Sequence, residues 1–314
     1  VSATGPLVRP AAGDSRQAWI LGTAFFAFSA VFWGMNVPMT TRMFATWDAY
    51  FLAPARLVIA SAVLALLVLL TRGARELAWP VGPGRALLIA LPMAAFFVSY
   101  NLGLQYSNPI TAAAVMAGAP VYAAITLRVL TGARLERGFA PAAVLTGIGA
   151  WIAIQGRPGM AGAGFGFGGG ELLIVLAFTC WNVYTIASQR WFPPETAQLR
   201  RTYVASVASL PWLVGAWLLA WALGIVDAPR LDPDAEATTL LFVTAIFATA
   251  LSIFSWNMGV QRAGLAAGSL WQNTVPVFAV LVSMLYGIFP TGQQVGGGAI
   301  VLAGVLYMQW RRLR

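Results

Sequence analysis

Tyr100-Asn101-Leu102-Gly103-Leu104-Gln105 returns 156 positions later as Trp256-Asn257-Met258-Gly259-Val260-Gln261. The match runs without a gap over 23 residues, Tyr100 to Tyr122 against Trp256 to Phe278, and ends on Ala119-Pro120-Val121-Tyr122 against Val275-Pro276-Val277-Phe278. Five positions are identical: the Asn, Gly and Gln of the first element and the Pro and Val of the last. The chain is built twice. In a membrane chain such a repeat marks a transporter, whose substrate site forms between two related halves.

Composition places the chain in a membrane. Of its 314 residues 59% are apolar and 9% charged, with a mean hydropathy of +0.76, where a soluble domain carries roughly a quarter charged residues. The formal charge of +9 comes from 19 basic residues, all Arg, spread over many short segments. No basic patch or stripe for nucleic acid results. There is no His, and the lone Cys180 in an apolar run excludes an intrachain disulfide and reads as a small buried hydrophobe. Residues Val1 to Arg16 are rich in Pro, Gly and Ala, lack the features of a signal peptide, and read as a mobile tail.

A crossing helix needs about 20 apolar residues, and the charge-free runs divide into ten such lengths. The spans fall in Ala18 to Thr40, Ala49 to Thr71, Ala86 to Leu127 taken as two, Gly138 to Ile154, Leu172 to Gln189, Thr202 to Val226, Ala237 to Gln261, and Ala263 to Trp310 taken as two. Ser107-Asn108-Pro109 supplies the turn in the first double run, and the segment Gly287 to Gly292, with Pro290, the turn in the second. With the N-terminus inside, fifteen arginines fall on one side and only Arg42, Arg157 and Arg230 on the other, beside the acidic cluster Asp227, Asp232, Asp234 and Glu236. The positive-inside rule then puts both termini in the cytoplasm. Arg56 is the one charge left inside a span; it snorkels, pairs with backbone carbonyls, or meets an anion.

Between spans 5 and 6, residues 156–170 contain eight glycines in fifteen positions, the composition of a flexible linker. It separates a first five-helix repeat, residues 17–155, from a second, residues 171–314. Five is odd, so the second copy inserts upside down relative to the first. The expected fold is an all-α integral membrane protein of ten transmembrane helices in two inverted five-helix repeats, with the substrate site near the bilayer midplane.

Ten spans, duplicated halves, the element Trp33-Gly34-Met35-Asn36 in span 1 and the Asn-x-Gly-x-Gln elements together resemble the drug/metabolite transporter superfamily, its EamA-type domains in particular. Within it the chain looks most like the YddG-type exporters of aromatic amino acids. The resemblance covers residues 18–310 and implies export from the bacterial cytoplasm across the inner membrane. The Glu of many EamA loops has its match in Glu136, whereas the second half has Thr291-Gly292-Gln293 at the corresponding place.

Polar and amphipathic side chains inside spans are costly in lipid and face the bundle interior or a water-filled cavity. The substrate-binding candidates are Trp33, Asn36, Tyr100, Trp181, Asn182, Tyr184, Trp256, Trp271 and Gln272, with Asn273 beside the last. Asn101, Gln105, Asn257 and Gln261 either tie helices together or meet substrate. Trp19, Trp47, Trp79 and Trp310 read as interfacial anchors. Pro120 and Pro276 stand at matching positions and serve as fixed bends or as gating hinges.

All ten carboxylates fall in tails, loops or span ends, whereas ion-coupled carriers commonly place Asp, Glu or His at depth. That points to an uncoupled facilitator working by alternating access. Indole and phenol rings with amide side chains suit a neutral zwitterion with an apolar body, an aromatic or other large neutral amino acid. No cofactor, no metal and no obligatory protein partner is expected; the partners are the small-molecule substrate and the bilayer. The alternatives are a carrier for a lipophilic cation or a nucleoside, and more remotely a channel or a membrane enzyme, for which reactive groups at depth are lacking.

Overall fold

The structure is a computed structural model that describes residues 15–132, 134–135, 138–156 and 169–313. Most of the expected tail, most of the glycine-rich linker, Glu136 and Arg157 lie outside the described residues. Those described are helical throughout, in the order α1 (Ser15–Met43), α2 (Ala49–Arg72), α3 (Pro83–Gln105), α4 (Pro109–Met116), α5 (Ala119–Thr131), α6 (Phe139–Gln155), α7 (Gly170–Trp191), α8 (Gln198–Ala222), α9 (Ala235–Val243), α10 (Ser252–Gln272), α11 (Val275–Leu285) and α12 (Gly292–Leu313). A π-helical stretch, Thr244–Leu251, joins α9 to α10.

Short polar residues start the helices where the sequence breaks. Asp48 accepts from the amides of Tyr50 and Phe51 at 2.8 and 2.9 Å to open α2, and Gly73, at φ 88°, ends it. Asn108 accepts from Ile110 and Thr111 and is followed by Pro109, so the expected turn is a capped helix start. The turn between expected spans 8 and 9 lies inside α10. A Cβ placed on Gly259 or on Gly268 would meet the Phe26 ring at 2.7 or 2.8 Å, yet nine residues of straight helix rise about 13.5 Å. The chain therefore folds back between them.

Six helices are long and apolar enough to cross a membrane: α1, α2, α3, α7, α8 and the run Ala235–Ala263. Helices α4 and α5, bent by 48°, make a seventh together. The three remaining expected spans fall short for local reasons. Helix α6 has 17 residues, and α11 has 11 because its span breaks at Asn273-Thr274. Helix α12 has 22 residues but opens on two glutamines and three glycines and closes on arginines. Large apolar side chains such as Leu70, Val129, Leu219 and Leu285 stand outward, 61 to 84% exposed, as lipid-facing positions do.

Contacts between loops sort the chain into two ends. At the end where α1 finishes, here the upper end, Arg42 pairs with Glu236 at 2.8 Å, the Trp47 indole donates to the carbonyl of Arg230, and Thr291 Oγ1 donates to the carbonyl of Gly156. At the lower end Arg200 pairs with Glu76, and Gly138 lies against Arg311. Helix α1 thus starts at the lower end and α7, next to Ser107 through Glu171, at the upper. Trp47, expected at an interface, is instead buried by its bond to the facing loop.

The packing of the halves is reciprocal. Helix α3 lies along α7 and α10 along α1; α3 also meets α8, as the π stretch meets α2; α7 meets α4 and α5, as α1 meets α11; α2 pairs with α8, α4 with α11 and α6 with α12. Exchanging the first five expected spans for the last five leaves this pattern unchanged. The repeated motif explains it. Gly103 approaches Ile174 and the carbonyl of Gly170 on α7, while Gly259 approaches Phe26 and the carbonyl of Gly22 on α1. Asn101 donates to the carbonyl of Ala49 at the start of α2, and Asn257 to Thr202 near the start of α8. Both asparagines therefore tie helices together, while Gln105 and Gln261 are exposed.

Candidate functional site

The paired helix breaks, Ala117-Gly118 between α4 and α5 and Asn273-Thr274 between α10 and α11, lie against one cavity in the middle of the bundle. Each break falls just before a proline, because the pyrrolidine ring collides with the carbonyl four residues earlier. Pro120 and Pro276 then occupy the first turn of the next helix, where no amide proton is needed. Above the breaks α4 packs on α11; below them α5 leans on α6 and α7.

The cavity and its open mouth together enclose about 810 Å³ of space not filled by atoms. Six aromatic side chains stand in its wall: Trp33 from α1, Phe96, Phe97 and Tyr100 from α3, and Phe178 and Trp181 from α7. These rings support one another. Phe96 lies 5.1 Å from Trp181 and 5.5 Å from Tyr100, centroid to centroid, and Trp33 lies 5.4 Å from Trp256. Polar groups enter from Asn36, Arg56, Thr249, Gln272 and Asn273. Among the described residues, no carboxylate lines it.

A hydrogen-bonded row crosses three helices at this wall. Arg56 Nη1 donates to Thr40 Oγ1 at 2.8 Å, Thr40 donates to Asn36 Oδ1 at 3.2 Å, and Asn36 Nδ2 donates to the Tyr100 hydroxyl at 3.3 Å. The π stretch, which packs on α2 and α1, also presents Ala248 and Thr249 to the cavity. There Thr249 donates to the carbonyl of Thr244, five residues back, in the wide spacing of a π turn.

Of the residues singled out from the sequence, Trp33, Asn36, Tyr100, Trp181, Gln272, Pro120 and Pro276 come together here. Four others are placed elsewhere. Asn182 follows Trp181, and one helical step of about 100° turns it off the cavity wall. Tyr184 is buried in the core between α3, α7 and α8. Trp256 packs between Phe26 and Trp33, and Trp271 packs against the core around Tyr100 and Val275. Phe96, Phe97, Phe178 and Met116 line the cavity without having stood out, since an apolar residue in an apolar span gives no signal. Among the described residues no group of three His, Cys, Asp or Glu side chains is placed to hold a metal.

Comparison with known proteins agrees with this architecture. The chain is 26% identical over 306 residues, 95% of either length, to a protein of Streptantibioticus cattleyicolor named "Probable terminal-alkyne amino-acid exporter". It is 23% identical over 252 residues, 80% of this chain and 81% of the relative, to the "Uncharacterized transporter YyaM" of Bacillus subtilis. A solved crystal structure, 20% identical, superposes with a TM-score of 0.64 over 93% of this chain and 96% of the other, which shows a shared fold. The sequence profile of EamA-like transporters matches twice, over residues 20–155 and 168–310, once for each half. The chain is thus a multi-pass membrane transporter, and it belongs to the EamA-like transporter family.

Proposed function

We propose that this protein moves amino acids, aromatic or other large neutral ones, across the bacterial cytoplasmic membrane by alternating access between inverted halves. The observation that carries the reading is the cavity wall, where six aromatic side chains stand together with the amides of Asn36, Gln272 and Asn273. Indole and phenyl rings stack on a substrate ring, and their faces hold an ammonium group with about 0.5 to 2 kcal/mol. Export as the direction, and an amino acid as the cargo, draw on the name of the Streptantibioticus relative. A lipophilic cation suits the cavity less well, because it would share the space with Arg56.

The reciprocal packing supports the mechanism. Two halves related by exchange can trade conformations, and trading them moves the opening from one end to the other. Here the upper end is held by Arg42 with Glu236 and by Gln294 with Thr111 and Asn108. The arginine distribution supports placing that end outside and both termini in the cytoplasm. Absence of a carboxylate from the cavity wall favours a facilitator without obligatory ion coupling.

The test is counterflow of labelled phenylalanine into liposomes that hold the purified chain and unlabelled phenylalanine. Accumulation above protein-free vesicles is expected, competed by tryptophan and large neutral amino acids. Accumulation of lipophilic cations or nucleosides with none of phenylalanine would overturn the reading.

A further inference from the structure

We propose that Arg56 is the anion site of the cavity: its guanidinium takes a carboxylate of the cargo while the aromatic wall takes the apolar body. This rests on the cavity's being the transport site, as above. Arg56 lies within α2, 2% exposed, yet it lines the cavity. A guanidinium carries five donors and keeps its charge. One hydrogen bond is made, from Nη1 to Thr40, and Nε has no acceptor. None of the ion pairs among the described residues includes it. The carboxylate nearest in sequence, Asp48, is occupied in capping α2.

The other buried arginine shows what a structural role looks like. Arg201, 8% exposed, donates from Nε to the carbonyl of Thr196 and from Nη2 to those of Pro193 and Pro194, at 2.7 to 3.0 Å. Two of its three nitrogens are held by backbone carbonyls. Arg56 has no such cradle, and an unpaired charge at membrane depth is costly to keep. A carboxylate entering the cavity supplies the missing acceptors, and its two oxygens match the guanidinium fork.

The row from Arg56 through Thr40 and Asn36 to Tyr100 holds the guanidinium in place. Thr40 and Asn36 act as positioning residues. Because no acidic side chain among the described residues lines the cavity to claim an ammonium, the carboxylate is the group that decides recognition. Both an amino acid and the same molecule without its amino group satisfy this chemistry; an amine or an amide does not.

The experiment measures thermal unfolding of the purified full-length protein with phenylalanine, phenylpropionate, phenylalanine amide and phenethylamine, alongside the counterflow assay. Both carboxylates are expected to stabilise the wild type, and the amide and amine to do so far less. Arg56→Gln should weaken carboxylate binding roughly 10- to 100-fold, as loss of a charge-assisted contact does, and abolish the preference for acid over amide. Arg56→Lys should keep the preference at lower affinity.

An amide or amine that binds as tightly as the acid overturns the proposal, as does an Arg56→Gln protein that retains the acid preference. So does a wild type that neither carboxylate stabilises. The wild-type comparison needs no variant to fold. Carboxylate binding without phenylalanine counterflow would remove the transport reading and leave Arg56 as an anion site; counterflow that accepts the amide equally would do the reverse.

Discussion

Gly103 and Gly259 are the residues on which the two halves close. A Cβ at Gly103 would stand 2.7 Å from Ile174 Cγ1 and 3.0 Å from the carbonyl of Gly170, and one at Gly259 would stand 2.7 Å from the Phe26 ring. The backbone carbonyl cannot yield cheaply, so Gly103→Ala should destabilise by about 1 to 3 kcal/mol, as overpacking does. Gly147 is the control. It sits in α6 with open space around it, so Gly147→Ala should be neutral or stabilising by up to about 1 kcal/mol. Chemical unfolding in detergent measures both. Trp181 is the residue whose loss should separate function from folding. It packs against Phe96 at a tilt of 53° at the cavity wall, and Trp181→Ala should lower phenylalanine counterflow by roughly 10-fold or more, the worth of one to two aromatic contacts, with the yield of folded protein unchanged. Wild-type counterflow would remove Trp181 from the site.

At the scale of elements, the broken spans are the feature that shapes the cavity. Pro120 and Pro276 sit in the first turn after each break, and α4 meets α5 at 48°. Replacing Pro120 by Ala removes the clash that keeps the two segments apart. Because no hydrogen bond depends on the ring, stability should change by less than about 1 kcal/mol, while transport slows as the span straightens. Counterflow rate and unfolding midpoint, measured together, distinguish a hinge from a fixed bend: a rate equal to wild type marks the bend as dispensable. The second copy adds an irregularity of its own. Its π stretch, Thr244–Leu251, has α-helical α3 as counterpart, with Pro92 inside it.

At the scale of the whole molecule, the upper end is tied across the halves. Gln294 Nε2 reaches Thr111 Oγ1 at 3.0 Å and Asn108 Oδ1 at 3.4 Å, and Arg42 pairs with Glu236. Exposed ion pairs contribute at most about 1 kcal/mol, so the buried Gln294 contacts are expected to matter more. Gln294→Ala should shift the molecule toward opening at that end. In a Cys180→Ala background carrying Thr249→Cys, a membrane-impermeant maleimide added from outside should label the Gln294→Ala protein several-fold faster. Equal labelling would remove Gln294 from the seal. Collapse of a pH or sodium gradient at constant membrane potential should leave phenylalanine flux unchanged.

Duplication was legible in the sequence because spacing survives where identity does not: Asn, Gly, Gln and Pro must recur at fixed intervals if the same close approaches and breaks are to form twice. Membrane placement and the positions of most helices were legible for a similar reason, since lipid admits few charges and makes each polar or breaker residue stand out. The wall itself was only partly so. Phe96, Phe97 and Phe178 are silent among apolar neighbours, and Trp256 and Trp271 resemble Trp181 until rotation about the helix axis turns them onto other helices. Arg56 was visible as a charge, with three readings open. Which of them its surroundings favour, a cavity on one side and a single hydroxyl partner on the other, depends on residues from α1 and α3. Such neighbours meet only when the chain is folded, and tertiary packing alone decides them.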